Sequence, residues 1–152
     1  MNKSNRPVYK GNTFDSGYEL TVYKAIERVT AIISTLEIRT QVSVLCRPAS
    51  RNYKQKNWKV DFFVEDKLSG KHLLIEAKGQ PKSHGKMIDN IKSLDIYSPS
   101  AHDNLLIVVP NDYQRRKYRA KQISIKDSLA NSINVPVIFY RDLRDYIVNY
   151  FR

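Results

Sequence analysis

The stretch from residue 57 to residue 79, NWKVDFFVEDKLSGKHLLIEAKG, constrains the fold more than any other part of the chain. Two runs of strand-forming residues flank the turn DKLSG, which predicts a β-hairpin with strands over 58–65 and 71–78. Three charged residues interrupt the apolar pattern of these runs: Asp61, Glu76 and Lys78. Because charges are rarely buried without a partner or a metal ion, their presence needs an explanation.

The hairpin pattern also predicts which residues face one another. Side chains alternate between the two faces of a strand, so each strand has an apolar face and a face with charges. The apolar face of the first strand consists of Trp58, Val60, Phe62 and Val64. If the turn centres between Leu68 and Ser69, Asp61 lies opposite Glu76, with Cβ atoms about 5 Å apart. Lys78 lies on the same face, and a one-residue slip would bury the charges of one strand.

The other segments predict an α/β fold with a mixed central sheet. Helices are predicted over 16–33, 85–97, 111–131 and 142–151, and further strands over 36–47, 104–110 and 135–140. The continuous apolar run of the strand at 104–110 is typical of a buried parallel strand. The order is α-β-β-β-α-β, with a helix, a strand and a helix added at the C-terminus. Residues 1–13 predict a flexible basic arm, which leaves 14–152 as a single domain.

The charge of the chain indicates the class of its partner. Lys and Arg number 26 against 15 Asp and Glu, a net charge of +11, and a domain this basic attracts polyanions such as nucleic acid. No apolar run is long enough to span a membrane, so no membrane partner is expected. With one cysteine and no secretory signal, the sequence predicts an intracellular, cytoplasmic protein without a disulfide.

The two acids of the hairpin predict a metal site. Two carboxylates this close repel each other, and one takes up a proton unless a cation lies between them. Mg²⁺ prefers carboxylate oxygens with waters and substrate phosphate, and Mn²⁺ suits similar ligands. Lys78 could orient or deprotonate an attacking water, or stabilise charge on phosphorus. The cluster therefore predicts phosphodiester hydrolysis, and the alternative is a buried ion-pair network that only fixes the sheet.

Asp61, followed after the hairpin by Glu76-Ala77-Lys78, resembles the motif of the PD-(D/E)xK nuclease superfamily. The predicted helix before the hairpin and the crossover helix after it fit the same pattern. Val60 stands where the motif has proline, a residue that shapes the approach to the strand and touches no metal. The resemblance implies a restriction-endonuclease-like core and a DNA endonuclease that depends on Mg²⁺ or Mn²⁺.

Three blocks carry a closer resemblance, to the phage Holliday-junction-resolving endonucleases of the endonuclease I type. They are TFDSGYE at 13–19, VDFF at 60–63 and LIEAKG at 74–79. The resemblance covers about residues 13–110 and makes a phage or bacterial mobile-element origin plausible. One site cuts one strand, so a homodimer or higher symmetric oligomer is expected. The apolar side of the C-terminal helix is a candidate interface, unless it packs on its own sheet.

Two other functions are compatible with the same residues. One is a sequence-specific endonuclease of the homing, restriction or transposon-end type, which would need side chains that read the major groove. The other is a non-catalytic DNA-binding module on the same fold, which would bind DNA without metal-dependent cutting. The intact set of Asp61, Glu76 and Lys78 argues against the second, because a degenerate copy would be expected to lose one of them.

The resemblance also implies the roles of individual residues. The metal ligands would be Asp61, Glu76, the backbone carbonyl of Ala77, and Glu19. Lys78 would act on the nucleophilic water, which makes Glu19, Asp61, Glu76 and Lys78 the catalytic residues. Ser16-Gly17-Tyr18-Glu19 is equally typical of a capping box, in which Glu19 bonds back to the backbone of Ser16. The pattern alone leaves Glu19 between these two roles.

Basic residues predict contacts with DNA phosphates in three places. The loop before Asp61 and the strand that follows contain Lys54, Lys56 and Lys59. The segment after Lys78 contains Lys82, His84 and Lys86, and the predicted helix over 111–131 contains Arg115, Arg116 and Arg119. Arg115 and Arg119 are i, i+4 neighbours that repel each other, a cost that a polyanion alongside would remove. A solvated surface is the alternative in each place.

Overall fold

A five-stranded sheet with helices on both faces forms the centre of the structure. The computed structural model describes residues 5–79, 84–111, 126 and 130–152. In chain order the elements are β1 (Val8–Tyr9), β2 (Asn12–Thr13), α1 (Gly17–Ile32), β3 (Leu36–Arg47), β4 (Lys56–Asp66), β5 (His72–Ala77), α2 (His84–Tyr97), α3 (Pro99–Asp103), β6 (Leu105–Val109), β7 (Val137–Phe139) and α4 (Leu143–Tyr150). A 3-10 turn over Tyr140–Asp142 joins β7 to α4.

The sheet is mixed, with the strand order β3-β4-β5-β6-β7. β3, β4 and β5 are antiparallel neighbours, whereas β6 is parallel to β5 and β7 is parallel to β6. The parallel pairing of β5 with β6 requires a crossover, which α2 and α3 supply. All five residues of β6 are buried, as expected for a strand covered on both faces. The predicted α/β class with a mixed central sheet is confirmed.

Alternate residues of β5 and β6 pack into two separate hydrophobic cores. On one face, Leu73 and Ile75 pack in a core with apolar residues of α1 and α4. On the other face, Leu74 and Ile107 pack in a core with the apolar side of α2. The apolar side of α4, which the sequence left as a candidate interface, is buried against the chain's own sheet.

One predicted surface is wrong. The sequence assigned Trp58, Val60, Phe62 and Val64 to a single apolar face. In the structure Trp58 and Val60 pack in the core beside α2, whereas Phe62 and Val64 pack in the core beside α1. The change of side occurs at Asp61, and in β3 the adjacent residue Gln41 has a φ of +53°. A left-handed residue interrupts the regular alternation of an extended strand.

Residues 8–13 form a short hairpin rather than a flexible arm. β1 pairs antiparallel with β2, and the two turn residues, Lys10 and Gly11, both have positive φ. This combination is typical of a type I′ turn, which usually has the sequence Asn-Gly or Asp-Gly and was therefore not recognised. Tyr9 Oη donates a hydrogen bond to Glu27 of α1 at 2.9 Å. That contact attaches the hairpin to the helix that carries Glu19.

The crossover contains α3, an element that the sequence did not predict because five residues are too few to show a helical period. Pro99 lies in its first turn, where a missing N–H costs nothing. Ser98 Oγ donates to the Leu45 carbonyl at 2.7 Å, which ties the start of α3 to β3.

The predicted helix over 111–131 lies almost wholly outside the described residues. Of the part that is described, residues 130–132 are helical and Ile133 is buried in the core beside α2. Across the described ranges, no helix combines the length and apolar character needed to cross a membrane.

Candidate active site

Asp61 and Glu76 lie where β4 and β5 diverge. The ladder between the strands ends at the pair Phe62 and Ile75, in the register that the hairpin pattern predicted, and Asp61 and Glu76 are the next opposed positions. Beyond that pair the Asp61 side chain replaces the backbone ladder, because its Oδ2 accepts a hydrogen bond from the Ala77 N–H at 2.9 Å. Each of the two carboxyl groups also affects the pKa of the other.

Glu19 reaches the same place from the first turn of α1. Its N–H donates to Ser16 Oγ at 3.1 Å, so Ser16 is the N-cap. Its side chain accepts from the Asp15 N–H at 3.0 Å, one residue before the position that a capping box predicts. The other carboxylate oxygen accepts from Gln41 Nε2 at 3.1 Å. Glu19 therefore helps to cap the N-terminal end of α1 and also lies beside the hairpin acids.

The three carboxyl groups are almost completely buried, with exposed fractions of 4% for Glu19, 9% for Asp61 and 5% for Glu76. Burial, followed by the charge of Asp61, raises the pKa of Glu19 to about 7. Burial also raises the pKa of Asp61, and burial together with Asp61 raises the pKa of Glu76 well above its ordinary value. The positive charge of Lys78 acts in the opposite direction on both hairpin acids. One lysine thus compensates only part of the negative charge of three acids.

These residues line one open pocket of about 430 Å³, here called the carboxylate pocket. Glu19, Asp61, Glu76, Ala77 and Lys78, all predicted from the sequence, are among its lining residues. Of the predicted DNA contacts, Lys59 also lines it. The pocket is open on one side, so a phosphate group can approach the carboxylates from solvent.

The chemistry of the donor atoms fits a hard divalent cation. The pocket presents carboxylate oxygens from Glu19, Asp61 and Glu76 and the backbone of Ala77, and Mg²⁺ and Mn²⁺ prefer such oxygen ligands. A cation would also lower the raised pKa values of the three acids, because an opposite charge favours the ionised form. Within the described ranges, no three side chains of the His, Cys, Asp and Glu types already surround a common ion position.

The other predicted DNA contacts lie outside the carboxylate pocket or outside the described residues. Lys54 is exposed in the loop before β4, Lys56 is the half-buried first residue of β4, and Lys86 is exposed near the start of α2. His84 begins α2, but its side chain is not described. Lys82, Arg115, Arg116 and Arg119 lie outside the described residues.

Gln41 is a pocket residue that the sequence did not reveal. Its Nε2 donates to Glu19 Oε1 at 3.1 Å and to Asp61 Oδ1 at 3.4 Å. The pairs Thr40–Phe62 and Val42–Val60 bring it beside Asp61. The sequence pattern predicted only the pairing of β4 with β5, so the signal that could have found Gln41 is the register between β3 and β4.

Gly79 lines the pocket and packs against Tyr18 of α1. A Cβ on Gly79 would lie 3.1 Å from the Tyr18 ring, so only glycine fits this position without a shift of its neighbour. Tyr18 Oη donates to the Val108 carbonyl at 3.0 Å, and the Lys78 N–H donates to the same carbonyl at 2.9 Å. The backbone that carries Lys78 is therefore held between α1 and β6.

A second groove, of about 360 Å³, is lined by three arginines and is here called the arginine groove. Arg28 comes from α1, Arg141 from the 3-10 turn and Arg144 from α4. No carboxylate is among the described residues that line it. None of these arginines was singled out from the sequence, because Arg28 is more than 100 residues from Arg141 and Arg144 along the chain.

Comparisons with known proteins give little information about this chain. No protein-family model matches it, and no curated protein matches it. Among solved structures, the crystal structure of protein VC1899 from Vibrio cholerae matches with 14% identity and a TM-score of 0.46. The match covers 92% of this chain and 37% of that protein, so the chain spans little more than a third of its length. A likeness at this level carries no argument about fold or function.

Proposed function

We propose that this protein is a divalent-metal-dependent DNA endonuclease of the PD-(D/E)xK type, with a restriction-endonuclease-like core. The observation that carries the proposal is the carboxylate pocket. Three acids from three separate elements, α1, β4 and β5, are buried together in an open pocket beside Lys78. The net charge of +11 supports a polyanionic substrate.

A structural ion-pair network is the weaker explanation. Such a network balances its charges, since an unpaired buried charge is strongly destabilising. Here the pKa values of Glu19, Asp61 and Glu76 are all raised, which means that the folded protein disfavours their ionised forms. This imbalance costs stability and is relieved by a cation, so it supports a metal site rather than a network that only fixes the sheet.

Each residue of the pocket has a role in the proposed reaction. Asp61, Glu76, Glu19 and the carbonyl of Ala77 would hold Mg²⁺ or Mn²⁺. When bound, the ion polarises a phosphoryl oxygen and lowers the pKa of a water molecule. Lys78 would donate hydrogen bonds to the attacking water and to the phosphate oxygens, where negative charge increases in the transition state. Lys59, exposed at the pocket, would contact a neighbouring phosphate.

Cleavage with and without metal tests this proposal. Supercoiled plasmid and labelled duplex DNA are incubated with Mg²⁺, with Mn²⁺ or with EDTA. We expect cleavage with either metal, no cleavage in EDTA, and loss of cleavage with retained DNA binding in Asp61→Asn. Glu65→Gln is the matched control, because Glu65 lies on the same strand but not in the pocket.

Two outcomes would remove parts of the proposal. Equal cleavage by Asp61→Asn and the parent would refute the site assignment. DNA binding by the parent without cleavage under any metal would support a non-catalytic DNA-binding module instead.

Within the endonuclease class, we propose a junction-resolving enzyme that acts as a homodimer. The size, charge and sequence blocks of the chain favour this substrate, and cutting two strands requires two sites. Cleavage of a synthetic four-way junction is compared with cleavage of a linear duplex of the same arms, and the mass of the complex is measured by light scattering. Equal rates on both substrates would favour the sequence-specific endonuclease, and a monomer on the junction would exclude paired sites.

A further inference from the structure

Gln41 has an unusual backbone conformation for a residue within a strand. Its φ is +53°, in the left-handed region that glycine adopts easily and that other residues adopt at a conformational cost. On either side of it, Thr40 pairs with Phe62 and Val42 pairs with Val60 in one continuous register. The conformation is therefore not produced by a shift in strand pairing. Backbone strain of this kind is found at functional sites.

The side chain of Gln41 joins two acids from different parts of the fold. Its amide nitrogen donates to Glu19 of α1 at 3.1 Å and to Asp61 of β4 at 3.4 Å. The amide nitrogen faces both carboxyl groups, and its two N–H groups allow it to donate to each of them. Without this donor, the two carboxylates would be held together against their mutual repulsion, which already contributes to the raised pKa of Glu19.

We propose that Gln41 is a positioning residue that holds the Glu19 carboxylate against the Asp61 carboxylate, so that a divalent cation meets a preformed pair of ligands. This inference rests on the proposed metal-dependent function. Gln41 does not touch the reacting atoms in this role. It acts through the orientation of the two carboxylates.

The chemistry of glutamine suits this role better than that of other residues. A neutral amide donates to both acids without neutralising them, whereas lysine or arginine at this position would compete with the cation for the same charge. Asparagine tolerates positive φ more readily but has a side chain one methylene shorter, and glycine removes the strain but also the donor. At position 41 the backbone conformation thus favours glycine, whereas the bridge between the two acids requires glutamine.

Two substitutions at position 41 separate the backbone strain from the bridging amide. Gln41→Gly removes both the amide and the strain, whereas Gln41→Ala removes the amide and keeps the strain. The melting temperature is measured in EDTA, and Mn²⁺ affinity is measured by calorimetry without DNA. We expect both variants to bind Mn²⁺ about 10-fold more weakly than the parent or worse, as is typical when a residue that orients metal ligands is removed. We expect Gln41→Gly to melt at the same temperature as the parent or higher, and Gln41→Ala to melt lower.

Ser43→Gly is the matched control, since Ser43 lies two residues further along β3, has no positive φ and does not line the carboxylate pocket. We expect it to melt lower than the parent and to bind Mn²⁺ equally well. If the parent binds Mn²⁺ and both Gln41 variants bind it as tightly, the positioning role is wrong while the proposed function stands. If the parent binds no Mn²⁺ and cleaves no DNA with any metal, the proposed function itself fails. If Gln41→Gly melts as low as Gln41→Ala, the positive φ at position 41 costs no stability and the strain part of the inference is wrong.

Discussion

The carboxylate pocket and the arginine groove are similar in size and opposite in charge, but they differ most in burial. Glu19, Asp61 and Glu76 are at most 9% exposed, whereas the three arginines are exposed residues of a basic surface. Exposed charges cost little because water solvates them, and buried charges cost several kcal/mol each, roughly, unless they are compensated. The buried charges of the pocket therefore require an explanation, whereas the exposed charges of the groove do not.

α1 connects the two regions. Glu19 is in its first turn and Arg28 lies nine residues later, which is about 13 Å along the helix axis. Because the pocket is buried and the groove is exposed, changes in the pocket should have large effects and changes in the groove small ones.

The largest effect is expected from Lys78, whose positive charge acts on both hairpin acids. Lys78→Ala should lower the cleavage rate by about 10²-fold or more, because the charge that develops on phosphate loses its nearest donor. Lys59→Ala removes an exposed lysine of the same pocket and should lower the rate only a few-fold. Single-turnover cleavage at saturating Mg²⁺ measures both. Similar losses in the two variants would show that proximity to the carboxylates is unimportant.

A smaller effect on cleavage is expected from the packing that holds Lys78 in place. Gly79→Ala puts a methyl group 3.1 Å from the Tyr18 ring. The ring cannot easily move away, because the Tyr18 hydroxyl donates a hydrogen bond to the Val108 carbonyl. A shift of a few tenths of an ångström in the adjacent Lys78 should lower the cleavage rate by up to about 10-fold. Gly17→Ala is the control, since nothing lies within 4 Å of the added methyl group there. Equal rates for Gly79→Ala and the parent would mean that the site tolerates this displacement.

The pocket should also give the metal-free protein an unusual pH dependence. An acid whose pKa is raised in the folded state binds more protons folded than unfolded, so stability is lost as the pH rises. For Glu19 this loss occurs between about pH 4.5 and pH 7. Water in the open pocket screens part of the effect, so we expect roughly 1–2 kcal/mol.

Melting temperatures between pH 4.5 and pH 8 in EDTA measure this loss. Glu19→Gln should flatten the curve, and Mn²⁺ should raise the melting temperature more at pH 7.5 than at pH 5. Arg144→Gln, in the exposed groove, should leave the shape of the curve unchanged. A parent curve that rises steadily with pH up to pH 7 would contradict the buried and uncompensated acids.

How well the sequence predicted each region depends on how far apart the interacting residues are along the chain. The register that brings Asp61 opposite Glu76 depends on the period of two in a strand and on one turn, so it could be read from neighbouring residues. Glu19 was identified through a resemblance and through a local cap. Gln41 was missed because its role depends on the pairing of β3 with β4 and on a positive φ, neither of which leaves a local pattern.

The same distinction applies to the rest of the fold. The apolar run of β6 predicted a strand buried on both faces, and all five of its residues are buried. The switch of Val60 and Phe62 to opposite cores was not predictable from alternation, because alternation assumes a regular strand. The arginine groove has no local signal, since Arg28 of α1 meets Arg141 and Arg144 only in the folded chain.

The smallest effect is expected from the arginine groove, and it separates a DNA contact from a solvated surface. Arg144→Gln should weaken DNA binding a few-fold and reduce the slope of log K against log[salt] by about 1, because one phosphate contact is lost. Lys92→Gln removes one exposed charge from α2, on the opposite face of the sheet, and should leave the slope nearly unchanged. Fluorescence anisotropy with Asp61→Asn as the background prevents cleavage during the measurement. Because both variants lose the same charge, the long-range attraction falls equally in each, and only a direct contact separates their slopes. Identical slopes would mean that DNA lies elsewhere and that the groove is an ordinary basic surface.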